Sequence, residues 1–167
     1  MARQNRMKTE KVEIFHHCMN RIAGLKHDYP FTEQDKQTGL NILHELLEYY
    51  LVEPISIVFC NNHYHLIVYV PDLDDLPDDA EIAARHNTYY EGKKELIDPE
   101  DHQACSSVRA DMRDLSAFMG VLQQRFSRHF NKAHERRGHL WADRFKNTIL
   151  QEGNALWDCM TYVELNP

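Results

Sequence analysis

Apolar residues in this chain alternate in short β-branched stretches and recur at helical spacing in longer ones, which predicts four strands and three helices. The strands are predicted at residues 12–19, 55–60, 63–70 and 144–150. The helices are predicted at residues 33–51, 108–134 and 155–166. Thr32 and Asp35 predict an N-terminal cap for the first helix, and Pro54 predicts its end. The apolar stripe of the second helix is Leu115, Phe118, Met119, Leu122, Phe126 and Phe130.

The predicted order of elements is strand, helix, strand, strand, helix, strand, helix. This order indicates an α+β fold with an antiparallel sheet and helices packed on one face, a ferredoxin-like or RNA-recognition-like arrangement. One acidic segment, 72–105, interrupts the pattern, and we interpret it as a surface-facing insert. Short helices are conceivable there at 80–86 and 87–96.

The length of 167 residues is that of a single domain, 1–167, with a core of its own. No stretch of about 18 apolar residues predicts a membrane span, and residues 1–11 lack the apolar run of a signal peptide. No Cys-x-x-Cys pair occurs, which argues against structural zinc and favours a reducing cytoplasm. The cysteines are Cys18, Cys60, Cys105 and Cys159.

Charge is distributed unevenly along the chain. The net charge of −7 argues against a non-specific nucleic-acid binder, yet a basic stretch follows the acidic one. A local cluster of this kind can bind phosphates while the whole molecule stays acidic. The basic residues are Arg125, Arg128, Lys132, Arg136, Arg137, Arg144 and Lys146.

The sequence His63-Tyr64-His65 opens the third predicted strand. Because alternate side chains of a strand point to one face, both imidazoles should lie side by side. Two histidines in a strand can arise by chance in a chain with eleven. However, burying two polar rings in apolar β-sequence is costly without partners, and a divalent cation is one suitable partner. Two imidazoles alone hold Mg²⁺ or Mn²⁺ weakly, so a third ligand and phosphate oxygens are expected.

Tyr162 and Asn166 lie one turn apart on the last predicted helix, on the flank of its apolar stripe. They could simply be a tyrosine packed on the sheet edge and a helix-capping asparagine. With the two histidines nearby, Tyr162 becomes a candidate nucleophile and Asn166 a candidate metal or orienting ligand. The stripe itself is Leu156, Cys159, Met160 and Val163.

The basic stretch admits two interpretations as well. It could be the solvated face of an amphipathic helix, or a strip that binds a DNA or RNA backbone. Aromatic residues within the stretch, among them Phe126, Phe130, Trp141 and Phe145, favour the second because bases stack on aromatic rings.

Three segments, FCNNHYHLIV, FNKAHERRGHLWADRFKNTIL and YVELNP, resemble in that order three blocks of the single-tyrosine HUH transposases. The resemblance is nearest to the REP-associated tyrosine transposases, relatives of the IS200-like enzymes, and it leaves out the acidic insert. It implies a ferredoxin-like fold that binds single-stranded or hairpin DNA, and some members act as dimers.

The resemblance also implies roles for residues. His63 and His65 would bind Mg²⁺ or Mn²⁺, and Asn166 would be a further ligand or an orienting residue. Tyr162 would attack single-stranded DNA and form a 5′-phosphotyrosine intermediate. DNA would be bound by Trp141 together with the basic residues Arg125, Arg128, Lys132, Arg136, Arg137, Arg144 and Lys146.

Three functions therefore remain open. The first is a transposase, a strand transferase that cuts and rejoins single-stranded DNA through Tyr162. The second is a non-catalytic, domesticated binder of repeat hairpins. The third is a metal-dependent hydrolase in which water attacks instead of tyrosine.

Overall fold

The computed structural model describes residues 14–24 and 31–165. Within these ranges the chain forms four strands, five α-helices and one 3₁₀ turn. They are β1 (Ile14–Arg21), α1 (Glu33–Leu47), β2 (Glu53–Phe59), β3 (His63–Val70), a 3₁₀ turn (Leu73–Asp75), α2 (Asp79–Tyr89), α3 (His102–Met112), α4 (Leu115–Ala133), β4 (Lys146–Leu150) and α5 (Asn154–Glu164). None of the helices in the described ranges has the length and hydrophobicity needed to cross a bilayer.

The strands form one antiparallel sheet in the order β2-β3-β1-β4, which confirms the predicted α+β fold. β3 is therefore central, with β2 and β1 as its neighbours. Its residues Tyr64, Leu66 and Val68 point into the main core, beside Phe126 of α4. The last helix, α5, lies against the opposite face, where the ring of Tyr162 meets that of His65. The sheet is thus covered on both faces.

The first helix begins as predicted. Thr32 and Asp35 form a capping box, in which the Thr32 hydroxyl accepts a hydrogen bond from the Asp35 amide and the carboxylate accepts from the Thr32 amide. The helix ends at Leu47 rather than at Leu51. Tyr49 and Tyr50 leave the helix and bury their rings, and Pro54 lies inside β2. Proline is tolerated there because β2 is an edge strand with an irregular register.

The predicted helix at 108–134 is two helices. Asp114 interrupts it, because its carboxylate accepts hydrogen bonds from the amides of Ser116 and Ala117 and so caps a new helix. The apolar stripe is otherwise confirmed, with Phe118, Met119, Leu122, Phe126 and Phe130 buried and Leu115 packed against the core. The last helix begins at Asn154, one residue earlier than predicted, with Gly153 at its N-cap.

The segment 72–105 does not face only the surface, contrary to the prediction. Ile82, Ala83 and Cys105 from α2 and α3 are buried in the main core. The predicted helix at 87–96 is absent from this described segment, because α2 ends at Tyr89 and Gly92 follows with a φ of +67°. The segment therefore belongs to the same core, while its acidic residues Asp74, Asp75, Asp78 and Glu81 stay exposed.

Asp35 links the two helices that cover the core face of the sheet. Its carboxylate is buried and accepts a hydrogen bond from Nε2 of His134, the C-cap residue of α4, at 2.9 Å. Burial alone would raise the pKa of Asp35, but hydrogen bonds from Thr32 and His134 outweigh it and hold that pKa below its usual value.

Candidate active site

The histidines of β3 lie on the face of the sheet that α5 covers. Strand alternation puts His63 and His65 on one side and the core residues Tyr64 and Leu66 on the other, as predicted. The two imidazole centroids are 5.0 Å apart and the rings are nearly perpendicular. On β1, Met19 and Arg21 stand opposite His65 and His63.

His65 is almost completely buried, with 2% of its surface exposed. Burial, reinforced by the neighbouring imidazoles of His17 and His63, lowers its pKa to about 4. The ring is therefore neutral near pH 7 and can offer a nitrogen lone pair. Its Nε2 atom is buried and has no hydrogen-bond partner in the part of the chain that the structure describes. A buried nitrogen in that state is costly unless something binds it.

His63 offers a nitrogen in the same way. Its Nδ1 lies 2.9 Å from Oδ1 of Asn62, so that the carboxamide oxygen accepts the Nδ1 proton. This leaves Nε2 as the lone-pair nitrogen. Burial and the positive charge of Arg21 lower the pKa of His63, which also favours the neutral ring.

A third imidazole, not predicted from the sequence, belongs to the same cluster. Nε2 of His17 lies 2.8 Å from Nδ1 of His65, and the two rings meet edge to edge, with centroids 5.1 Å apart and an interplanar angle of 22°. Burial lowers the pKa of His17 as well. The alternation in β1 could have indicated that His17 and His16 face opposite sides. It could not show that β1 pairs with β3 in the register that brings His17 to His65.

Tyr162 of α5 faces the histidines. Its ring centroid is 5.4 Å from that of His65 and 6.5 Å from that of His17, both edge to face. The side chain keeps 54% of its surface exposed, so a large substrate can reach the phenol. Val163, the next residue, is buried and anchors the helix. Asn166, the other predicted residue of this helix, lies outside the described residues.

The two β3 histidines fit a divalent cation as part of its ligand set. Both present a neutral ring with one nitrogen free to bind, and His65 has the orphaned buried atom that such an ion would satisfy. Over residues 14–24 and 31–165, no cluster of three or more histidine, cysteine or acidic side chains is arranged to hold a metal. The remaining ligands would therefore be oxygens from the substrate, from water or from residues such as Asn166.

Three of the predicted DNA-binding residues, Arg128, Trp141 and Arg144, line a groove of about 470 Å³. Arg128 on α4 and Arg144 lie on its walls together with Gln123, Gln124 and Asn131. The groove lies on the α4 side of the sheet, at the end where β3 begins, because Ala142 donates a backbone hydrogen bond to Arg21, which stands opposite His63. Lys146 begins β4 at this end of the sheet, opposite Met19.

The other predicted DNA-binding residues are placed differently. Arg125 binds the carboxylate of Glu45 at 3.1 Å and the hydroxyl of Tyr89 at 2.6 Å, so its guanidinium is committed to α1 and α2. Arg136 lies over the ring of Phe130. Lys132 and Arg137 are exposed on the surface beyond the groove.

Trp141 has a structural role that the sequence does not reveal. Its indole N–H donates to the backbone carbonyl of Gln123 at 3.1 Å, and its ring packs against Tyr64 and Phe126. Its backbone also pairs with Ile22. Trp141 therefore fixes one wall of the groove to the sheet, with only part of its ring surface left for a base.

Fold and site together define an antiparallel α+β domain with a histidine pair on its central strand and a tyrosine on the facing helix.

The resemblance seen in the sequence motifs is confirmed at the level of the fold by a solved REP-associated tyrosine transposase bound to a REP hairpin. The match covers 100% of this chain and 73% of that chain, with a TM-score of 0.62 and 13% identity. A second match is a protein of Deinococcus radiodurans, described as a candidate transposase. It covers 98% of this chain and 96% of the other, at 13% identity, and its TM-score of 0.44 is too low to carry an argument. No family model and no curated protein sequence matches the chain.

Proposed function

We propose that this protein is a transposase of the single-tyrosine HUH type, which cuts and rejoins single-stranded DNA. One observation carries the proposal: the exposed ring of Tyr162 stands edge-on to His65, whose buried Nε2 has no partner in the described part of the chain. A nucleophile beside a pair of neutral imidazoles is suited to metal-assisted phosphodiester cleavage. The fold shared with a transposase supports the same function.

In the proposed reaction, the phenol oxygen of Tyr162 attacks the scissile phosphorus. The bond from phosphorus to the 3′ oxygen breaks, and that oxygen leaves with a proton as a free 3′-OH. The downstream strand stays attached to Tyr162 as a 5′-phosphotyrosine, so no external energy source is consumed. Attack by another 3′-OH reverses the step and joins two strands.

His63 and His65 would hold Mg²⁺ or Mn²⁺ through their Nε2 atoms. A bound cation would withdraw charge from the scissile phosphate and favour the phenolate form of a nearby tyrosine. Burial keeps both imidazoles neutral, which is the state that binds a metal. The exposure of Tyr162 leaves room for a DNA backbone between α5 and the sheet.

The substrate we propose is a DNA hairpin with adjoining single-stranded nucleotides. Arg128 and Arg144 would neutralise phosphates at the groove, while the carboxamide of Gln124 could bind base edges. Because the groove lies at the end of the sheet where His63 begins β3, one strand could pass around that end to Tyr162 on the other face. The homodimer suggested by the sequence resemblance stays a prediction.

The test uses single-stranded oligonucleotides taken from both flanks of the gene, labelled at the 3′ end or at the 5′ end and incubated with protein and Mn²⁺. On a denaturing gel, the 3′ label should migrate with the protein and the 5′ label should appear as a shortened free strand. Tyr162→Phe should abolish the covalent band. Tyr69→Phe, the same change on the same face of the sheet, should keep it.

Other outcomes would overturn the proposal. Cleavage that persists in Tyr162→Phe would indicate a hydrolase in which water attacks. Hairpin binding that is unaffected by a chelator, with no cleavage of any substrate, would indicate a non-catalytic binder.

A further inference from the structure

His17 belongs to the histidine cluster but has no role in the reaction described above. It lies in the middle of β1, where it stands opposite Ile67 of β3 and Thr148 of β4. Its side chain extends from β1 to the diagonal neighbour His65 on β3, with a distance of 2.8 Å between Nε2 of His17 and Nδ1 of His65. This is the hydrogen bond that the structure gives His65, and it occupies the nitrogen that points away from the proposed cation.

A hydrogen bond between two neutral imidazoles has two possible directions. Either His65 donates its Nδ1 proton to His17, or His17 donates its Nε2 proton to His65. In the first case Nε2 of His65 carries a lone pair and can bind a cation. In the second case Nε2 of His65 carries the proton and cannot. The direction of this one bond therefore decides whether His65 can act as a ligand.

We propose that His17 is a positioning residue, which accepts the Nδ1 proton of His65 and thereby fixes both its ring orientation and its metal-binding tautomer. The inference rests on the proposed function only in taking His65 as a metal ligand. The geometry supports it, because the two rings are nearly parallel, at 22°, and meet edge to edge, so that the N–H of one ring can point at the lone pair of the other. Metal-binding histidines commonly donate their other N–H to such a partner, usually a carboxylate or carbonyl. Here the partner is an imidazole.

The position of His17 also explains how its role differs from that of Tyr162. The Tyr162 ring centroid is 6.5 Å from that of His17 and 5.4 Å from that of His65, so the tyrosine is nearer to the proposed ligand. His17 acts on the site through His65. A purely structural histidine would contribute packing, and its loss would leave the tautomer of His65 and its metal affinity unchanged.

The first readout is metal affinity, measured by titrating Mn²⁺ into DNA-free protein in a calorimeter. His17→Leu, which keeps the bulk but removes the acceptor, should weaken Mn²⁺ binding by about 10- to 100-fold. His17→Gln places a carboxamide oxygen near the position of Nε2 and should recover most of that loss. His44→Leu, a change at an exposed histidine of α1, is the matched control and should bind like wild type.

The second readout is the ¹⁵N spectrum of the imidazoles. In metal-free wild-type protein, His65 should already be protonated at Nδ1 and unprotonated at Nε2, and metal-free His17→Leu should lose that preference. The spectrum of the wild type decides the matter even if His17→Leu fails to fold. A Nε2-protonated His65 in metal-free wild-type protein would overturn the inference.

Failure of the inference can be told apart from failure of the proposed function. If His17→Leu binds Mn²⁺ as tightly as wild type while wild type still forms the covalent DNA adduct, the role of His17 is wrong and the transposase stands. If His17→Leu loses Mn²⁺ affinity while wild type forms no adduct, the positioning role stands and the transposase function is wrong.

Discussion

The ring of Tyr162 lies edge-on to the ring of His65, with a centroid distance of 5.4 Å and an interplanar angle of 87°. The two residues come from distant parts of the chain, the central strand β3 and the last helix α5. Their contact brings the phenol to the one face of the sheet that carries His17, His63 and His65. The site is therefore a product of how α5 packs on the sheet.

Arg128 and Arg144 should contribute to DNA affinity, whereas Arg125 should not. The first two line the groove on the α4 side of the sheet, while the guanidinium of Arg125 is bound to Glu45 and Tyr89. Replacing Arg128 and Arg144 together by alanine should weaken hairpin binding. It should also reduce the slope of log affinity against log salt by about 0.7–0.9 for each lost phosphate contact. Fluorescence anisotropy at several salt concentrations measures both quantities.

The control for this experiment is Arg125→Ala, the same change three residues away on the same helix. It should leave the salt slope at its wild-type value. An equal fall in slope for Arg125→Ala would mean that DNA binds along the α1–α4 surface rather than in the groove.

The stability of the fold should fall as the pH decreases from about 6.5 towards 4. His65 has a pKa of about 4 in the folded chain and about 6.5 when unfolded. Well above pH 6.5 the imidazole of His65 is neutral in both the folded and the unfolded chain, so its titration takes nothing from the free energy of unfolding. Between the two values the unfolded chain takes up a proton that the folded chain does not, so stability falls by up to about 1.4 kcal/mol per pH unit.

Urea denaturation at pH 7, 6 and 5 measures this loss, and His65→Gln should reduce the slope of stability against pH. His17 and His63, whose pKa values are also lowered, add to the wild-type slope in the same direction. His44→Gln, at an exposed position, is the control. A slope in His65→Gln equal to that of wild type would show that His65 is not the buried neutral group that the structure indicates.

Gly39 of α1 should not tolerate even a methyl group. A Cβ atom there would lie 2.4 Å from Cζ of the buried Phe59 of β2, so the ring would have to move. Gly39→Ala should lower the free energy of unfolding by about 1–3 kcal/mol through overpacking, partly offset by about 1 kcal/mol of helix propensity. The urea midpoint measures this change.

A matched substitution exists in α4. Gly120 has nothing within 4 Å of its Cβ position, so Gly120→Ala should stabilise the protein by up to about 1 kcal/mol. Adding Phe59→Leu to Gly39→Ala should recover part of the lost stability relative to the sum of the two single changes. Strict additivity would show that the two residues are not coupled.

Several features of this protein were determined by the sequence alone. Alternation in β3 put His63 and His65 on one face, the Thr32–Asp35 spacing gave the capping box, and the order of elements gave the α+β sheet. These inferences succeeded because each depends on neighbours within a few residues, where backbone geometry fixes which side chains meet.

Other features depended on tertiary structure. The acidic segment supplies Ile82 to the core, Arg125 is committed to Glu45, and Trp141 packs under the groove, and none of these follows from local pattern. His17 is the clearest case, because a shift of one residue in the pairing of β1 with β3 would turn it away from His65. Local periodicity says which face a side chain occupies. Only the register between strands and the docking of α5 decide which residues from distant parts of the chain meet there.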